Sequence, residues 1–198
     1  MIGWRVVARS SSVVFGYHGC ERELGDRIVR GDACFVPSKM RYDWLGKGIY
    51  FWESDEQRAR EWAEEKQSRG LIREPCVIAA VIDLGNCLDL TLRKYLDLLA
   101  GAHGAYVAAQ TLAEVAIPTN RDSPKGGSQN KVMRVPDCAV INYLNDLMEE
   151  EKGRPFDTVR GLFVEGPRVY EGAEIYRLTH VQLAVLNEKC IIGAFHPR

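Results

Sequence analysis

The chain of 198 residues has almost no net charge, with 26 Lys and Arg against 27 Asp and Glu. No whole-molecule field therefore draws it to nucleic acid or to an anionic membrane, although a local basic patch stays open to it. No apolar run approaches the ~20 residues that cross a bilayer, and Met1-Ile2-Gly3-Trp4-Arg5 is not laid out as a signal peptide. The expectation is a cytoplasmic protein without membrane contact. Cys20, Cys34, Cys76, Cys87, Cys138 and Cys190 form no Cys-x-x-Cys pair and no Cys/His cluster at metal-ligand spacing, which argues against structural zinc and for reduced thiols. Internal repeats, heptads and low-complexity tracts are missing. So is a Gly-x-Gly-x-x-Gly after a strand, and Lys47-Gly48 lacks the rest of a phosphate-binding loop. Rossmann-type nucleotide binding is unsupported.

What is present is an ordinary globular composition, 46% hydrophobic and 27% charged, over a length that suits a single domain, residues 1–198. Trp4 to Tyr17, with Val6, Val7, Val13, Val14 and Phe15, reads as a strand or hairpin, and Glu21 to Arg30 as a short helix. Gly31 to Lys47 reads as a loop lying over a pocket, after which Gly46-Lys47-Gly48 leads into a brief strand. Ser54-Asp55-Glu56-Gln57 has the form of a capping box with Ser54 as the cap. In the helix that follows, Ala59, Trp62 and Ala63 face inward, and Arg58, Arg60, Glu61, Glu64 and Glu65 face water. Cys76 to Leu84 has the length and β-branching of a buried strand. Leu90–Leu99 and Gly104–Ala116 read as two helices, Pro118 to Val135 as a long polar loop, and Cys138 to Glu151 as a helix ending at Gly153. Four strands close the chain: Val159–Phe163, Glu174–Leu178, His180–Leu186 and Cys190–Phe195.

Two segments stand out chemically. Tyr17-His18-Gly19 sets a histidine beside a glycine at the end of an apolar strand, where a glycine lets a planar ligand approach the backbone. A lone His-Gly equally suits a structural histidine. Leu45-Gly46-Lys47-Gly48-Ile49-Tyr50-Phe51 is more specific, since it joins close glycines, a lysine and adjacent aromatics. A tight turn before a core strand would account for Phe51 but not for the loop and histidine upstream. Cys20 lies two residues from His18 and has no orienting acid, so a cysteine hydrolase is rejected. Glu149-Glu150-Glu151 reads as a solvated helix end.

Taken together, Tyr17-His18-Gly19, a spacer of helix and loop, and Gly46-Lys47-Gly48-Ile49-Tyr50-Phe51 resemble the NAD⁺-binding half of the diphtheria-toxin-like and poly(ADP-ribose)-polymerase-like ADP-ribosyltransferases, and within them small toxin-like bacterial members. The resemblance covers Phe15 to Ala63 and, more loosely, Phe156 to Phe195. It implies an α+β fold in which two small, mainly antiparallel β-sheets pack around an NAD-binding cleft flanked by helices. It also implies that the His18-Gly19 backbone holds the nicotinamide carboxamide, that the His18 side chain meets a ribose hydroxyl and that Tyr50 stacks on the nicotinamide. Trp62 would be a second stacking aromatic, with Tyr17, Ser38 and Gly48 lining the cofactor site. The family's carboxamide-binding serine falls near Arg58, and Ser54 is no obvious substitute.

The family's late-strand glutamate corresponds to Gln182, because alternation puts His180, Gln182 and Ala184 on one face. A glutamine can hydrogen-bond the ribose but carries no charge, which implies transfer of a single ADP-ribose or weak activity. Gln182 is equally readable as an exposed polar strand residue. In the preceding loop Glu165 is a candidate general base for the acceptor, or else the partner of Arg160 in an ion pair that shapes the turn. The expected function is a mono-ADP-ribosyltransferase with catalytic His18, Tyr50, Gln182 and Glu165, NAD⁺ as substrate and no metal. Its acceptor would be a protein or a nucleic acid, with an antitoxin or immunity partner. The alternatives are an NAD-binding module without turnover, and an NAD-dependent RNA 2′-phosphotransferase of the same fold.

Overall fold

The structure is a computed structural model that describes residues 12–121, 131, 133–151 and 153–198. In chain order the elements are β1 (Val13–Glu21), α1 (Arg22–Arg30), β2 (Ile49–Glu53), α2 (Glu56–Ser68), β3 (Pro75–Asp83), β4 (Cys87–Asp89), α3 (Arg93–Leu112), α4 (Val135–Glu150), β5 (Thr158–Phe163), β6 (His180–Val185) and β7 (Ile191–Phe195). The strands form one seven-stranded sheet in the order β4-β5-β6-β2-β1-β3-β7. Every pairing is antiparallel except that of β4 with β5. The expected pair of small antiparallel sheets is thus corrected to a single mixed sheet, and it does not close into a barrel because β4 and β7 stand at its two ends. The physical reason is local. β1 and β2 pair at Gly16–Glu53 and Tyr17–Trp52, and those few residues join the strands on either side into one hydrogen-bonded surface.

Helices cover both faces of the sheet. Ile28 of α1 packs with Cys20, Phe35, Phe51, Ile78 and Leu183 on one side. On the other, Ala59 of α2 packs with Trp52 and Val77, and α3 and α4 bring Tyr106, Ile141 and Leu144 against Leu88, Val159 and Ala184. The alternation of β2 explains the division: Phe51 belongs to the first side, and Tyr50 and Trp52 belong to the second. An ion-pair network ties three strands together. Arg160 of β5 reaches both oxygens of Glu53 on β2, at 2.6 and 2.9 Å, and Asp89 of β4 at 3.1 Å.

Several sequence expectations are revised. Asp55, not Ser54, caps α2, its carboxylate accepting from the Arg58 amide at 2.9 Å. Ser54 has a positive φ of 56° where the chain turns out of β2, which takes its hydroxyl away from the cap. Arg58 does not face water, its side chain being only 13% exposed. The two expected helices over 90–116 are one, α3, running through Gly101 and Gly104. Its packing on α4 through Ala102 and Tyr106 outweighs the low helix propensity of those glycines. Glu174–Leu178 is not a strand but part of a turn closed by the Arg168–Tyr176 bridge. The short β4 has no counterpart among the expected strands. Residues 4–11 of the first expected strand, and 122–130 and Val132 of the polar loop, lie outside the described residues. Among the described residues no helix is long and apolar enough to cross a membrane.

Candidate functional site

The sheet carries an internal break. After Gly16–Glu53 and Tyr17–Trp52, β1 and β2 pair no further, although β1 continues along β3 to Glu21. At the break the His18 ring takes the place of a strand partner, its Nδ1–H donating to the Tyr50 carbonyl at 2.8 Å. Alternation in β1 directs the peptide edges of Phe15, Tyr17 and Gly19 toward β2, in keeping with the Ser54 amide bonded to the Phe15 carbonyl at 2.9 Å. The Gly19 edge therefore faces the gap, and its carbonyl accepts from Lys66 Nζ at 3.1 Å. Glycine is required here by contact, because a Cβ on residue 19 would lie 2.3 Å from the Ala59 carbonyl oxygen of α2.

His18 and Tyr50, expected around one nicotinamide, leave the sheet on opposite faces. His18 packs edge-on to Phe35, ring centroids 5.5 Å apart, and against Phe51 at 5.6 Å. Burial in that apolar nest lowers its pKa to about 4, against the opposing effect of the Tyr50 hydrogen bond, so the ring is neutral at pH 7 with Nε2 as an acceptor. Tyr50 lies on the α4 side. Its hydroxyl donates to the Gly46 carbonyl at 2.8 Å and accepts from the Leu45 amide at 3.0 Å, and burial pushes its pKa up. Tyr50 thus braces the Gly46-Lys47-Gly48 turn, while Ser38 holds the turn's other side by exchanging backbone hydrogen bonds with Gly48 at 2.8 and 3.2 Å.

The remaining predicted residues gather on the Trp52 face. Gln182, opposite Trp52 in register, accepts from the Trp44 indole N–H at 2.5 Å. A Cβ on Gly161 would sit 2.6 Å from that indole, so the glycine lets Trp44 lie against β5. Trp62 stands 6.2 Å from Trp52 between ring centroids, and Tyr17 packs with the same pair. Glu165 does not pair with Arg160. It pairs with Arg58 at 3.0 Å, because Arg160 is engaged by Glu53 and Asp89 on the opposite face.

Sequence reasoning missed four participants. Arg58 lies 5.9 Å from the Trp52 ring centroid. His180, only 6% exposed, stacks on Phe163 with centroids 5.5 Å apart, and its Nδ1–H donates to the Leu178 carbonyl at 2.7 Å. Burial lowers its pKa. Arg134 lies 4.3 Å over Phe163 and 5.2 Å from Trp44. Trp52 itself is 5% exposed. The even spacing of His180 with Gln182 was the available signal for the histidine; nothing local marked Arg58 as buried. A hollow of about 180 Å³ opens beside Gly48, lined by Pro37, Lys47, Asn142 and Leu186 among others, and one of about 470 Å³ lies between Glu21 and the 70–74 segment. Neither contains His18, Tyr50 or Gln182. Among the described residues no three His, Cys, Asp or Glu side chains are grouped to hold a metal ion, and all six cysteines are free thiols.

The chain is similar to an uncharacterised protein of Methanocaldococcus jannaschii, with 27% identity over 164 residues covering 80% of this chain and 68% of that protein. No family model matches the chain, and no solved structure matches it.

Proposed function

We propose that the chain binds NAD⁺ at the gap between β1 and β2, breaks the nicotinamide–ribose bond and transfers one ADP-ribose to a macromolecular acceptor. The observation that carries this reading is the break itself. Two strands part directly after Tyr17, so that the Gly19 peptide edge is turned toward β2 without a strand partner there, beside a histidine held neutral. A peptide N–H and C=O side by side match a primary carboxamide in both donor and acceptor. His18 Nε2 is an acceptor for a ribose hydroxyl. Since His18 and Tyr50 lie on opposite faces, Tyr50 would act by holding the 46–48 turn at the rim of the gap, and the ligand would enter between the strands by displacing part of the 31–47 segment.

Leaving of neutral nicotinamide creates a cationic sugar, and its support here would come from dipoles and positioning more than from a carboxylate. Gln182 is neutral, Glu53 is held by Arg160 and Glu165 by Arg58. That balance favours slow, single transfer over chain elongation. In a direct test the purified chain is incubated with NAD⁺ and free nicotinamide is measured. Release is expected, and it should be lost in both His18→Ala and Tyr50→Ala. Release that survives both substitutions sinks the site assignment, and saturable NAD⁺ binding without release points to a binding module instead.

A further inference from the structure

Under the 164–179 segment, on the Trp52 face, polar atoms of three adjacent side chains are buried without a protein partner: Trp52 Nε1, Arg58 Nε and His180 Nε2. They belong to one cluster, with the Arg58 guanidinium 5.9 Å from the Trp52 ring centroid and the His180 ring 6.2 Å from it. Trp52 and His180 are themselves 5% and 6% exposed. Burial of a polar group without a partner is unfavourable, so a cluster of them calls for a ligand that completes it. The hydrogen-bond senses are determined by the neighbours. Trp52 Nε1 and Arg58 Nε can only donate. His180 donates through Nδ1 to the Leu178 carbonyl, which leaves Nε2 of the neutral ring as an acceptor. The site therefore offers two donors and one acceptor between aromatic surfaces, with Phe163 stacked on His180 and Trp62 beside Trp52.

We propose that this cluster is a binding site for a pyrimidine base, reached when the Glu165 side chain releases Arg58 and the 166–177 turn lifts, with Leu178 left in place on His180. The complementary edge must carry two acceptors and one donor, as the Watson–Crick edges of uracil, thymine and cytosine do; that of guanine carries one acceptor and two donors, and that of adenine one of each. The aromatic walls supply the stacking surface that a base uses and an aliphatic amide does not. The Glu165–Arg58 ion pair at 3.0 Å latches the turn against α2. Lifting it frees Arg58 and opens Trp52 and His180 together. The proposal stands whether or not the chain uses NAD⁺ at the β1–β2 gap.

Ligand-observed NMR titration of the full chain with uridine, 3-methyluridine and nicotinamide tests the proposal. Uridine should bind at least ~5-fold more tightly than 3-methyluridine, which has lost the N–H that would donate to His180. Trp52→Phe, which keeps the ring and removes the indole N–H, should weaken uridine binding several-fold. His180→Leu should abolish it and His180→Gln, which restores an acceptor, should recover part of it; thermal melting of each variant checks that it is folded. Absence of uridine binding overturns the proposal, as does equal binding of 3-methyluridine or indifference to the Trp52 and His180 substitutions. Nicotinamide binding that is lost in Tyr50→Ala but unchanged in Trp52→Phe belongs to the gap, and if uridine does not bind as well the pyrimidine site is refuted while the NAD⁺ reading stands.

Discussion

At Gly19 a single carbon separates a closed sheet–helix contact from a clash. The added Cβ would lie 2.3 Å from a backbone oxygen of α2, and neither strand nor helix can yield without disturbing the pairing of β1 with β3. Gly19→Ala is expected to lower stability by roughly 1–3 kcal/mol, read as an earlier midpoint in urea unfolding, and to weaken NAD⁺ binding beyond what the stability loss explains. His18 governs a second residue-scale outcome. Its ring stays neutral in the fold down to about pH 4, whereas in the unfolded chain it takes up a proton near pH ~6.5. Between those values the unfolded state binds more protons and is favoured, so the stability present above pH ~6.5 falls as the pH drops toward 4. His180, whose pKa burial also lowers, adds to the same trend. Urea unfolding at pH 7.0, 5.5 and 4.5 should show a decline on the order of 2–3 kcal/mol, and His18→Gln should flatten much of it. An equally steep decline in that variant would place the titration elsewhere.

Among the elements, α3 shows how packing overrides local preference. Gly101 and Gly104 lie within the helix with nothing within 4 Å of the Cβ positions an alanine would occupy. Gly101→Ala and Gly104→Ala should each stabilise the protein by about 0.5–1 kcal/mol, seen as a later urea midpoint with an unchanged slope. A loss of stability would mean that α3 meets a neighbour at that face. Element by element, much of the chain is legible from pattern alone. β3 follows from the apolar run at Cys76–Leu84 and β6 from alternation, and the segments read as α1, α4, β5 and β7 lie close to their observed bounds. Glu174–Leu178 has the composition of a strand but pairs only with Arg168 in an isolated bridge and leaves its Ile175 63% exposed. Ser54 fits a capping box in sequence, yet the backbone reversal after β2 gives the cap to Asp55.

For the whole molecule the relevant quantity is linkage between ligand and fold. If NAD⁺ occupies the gap it binds only the folded chain, and at about 100 times its Kd it adds ~2.7 kcal/mol, which for a chain of this size raises Tm by roughly 5–10 °C. Thermal melting with saturating NAD⁺ should show that rise in the native chain and not in Gly19→Ala; no rise in the native chain speaks against binding.

From the residues alone came the positions of most elements, the His18-Gly19 and Gly46–Phe51 segments, and the lack of a Gly-x-Gly-x-x-Gly after a strand, because periodicity, turn residues and motif spacing are properties of neighbours along the chain. Joining of the strands into one sheet, the placement of His18 and Tyr50 on opposite faces and the burial of Arg58 beside Glu165 depend on residues brought together from far apart. Arg58 and Glu165 are 107 positions apart in the chain, and no local pattern records which distant carboxylate a buried arginine will meet. That choice is made when β6 settles beside β2 and carries the segment before it across the face of Trp52.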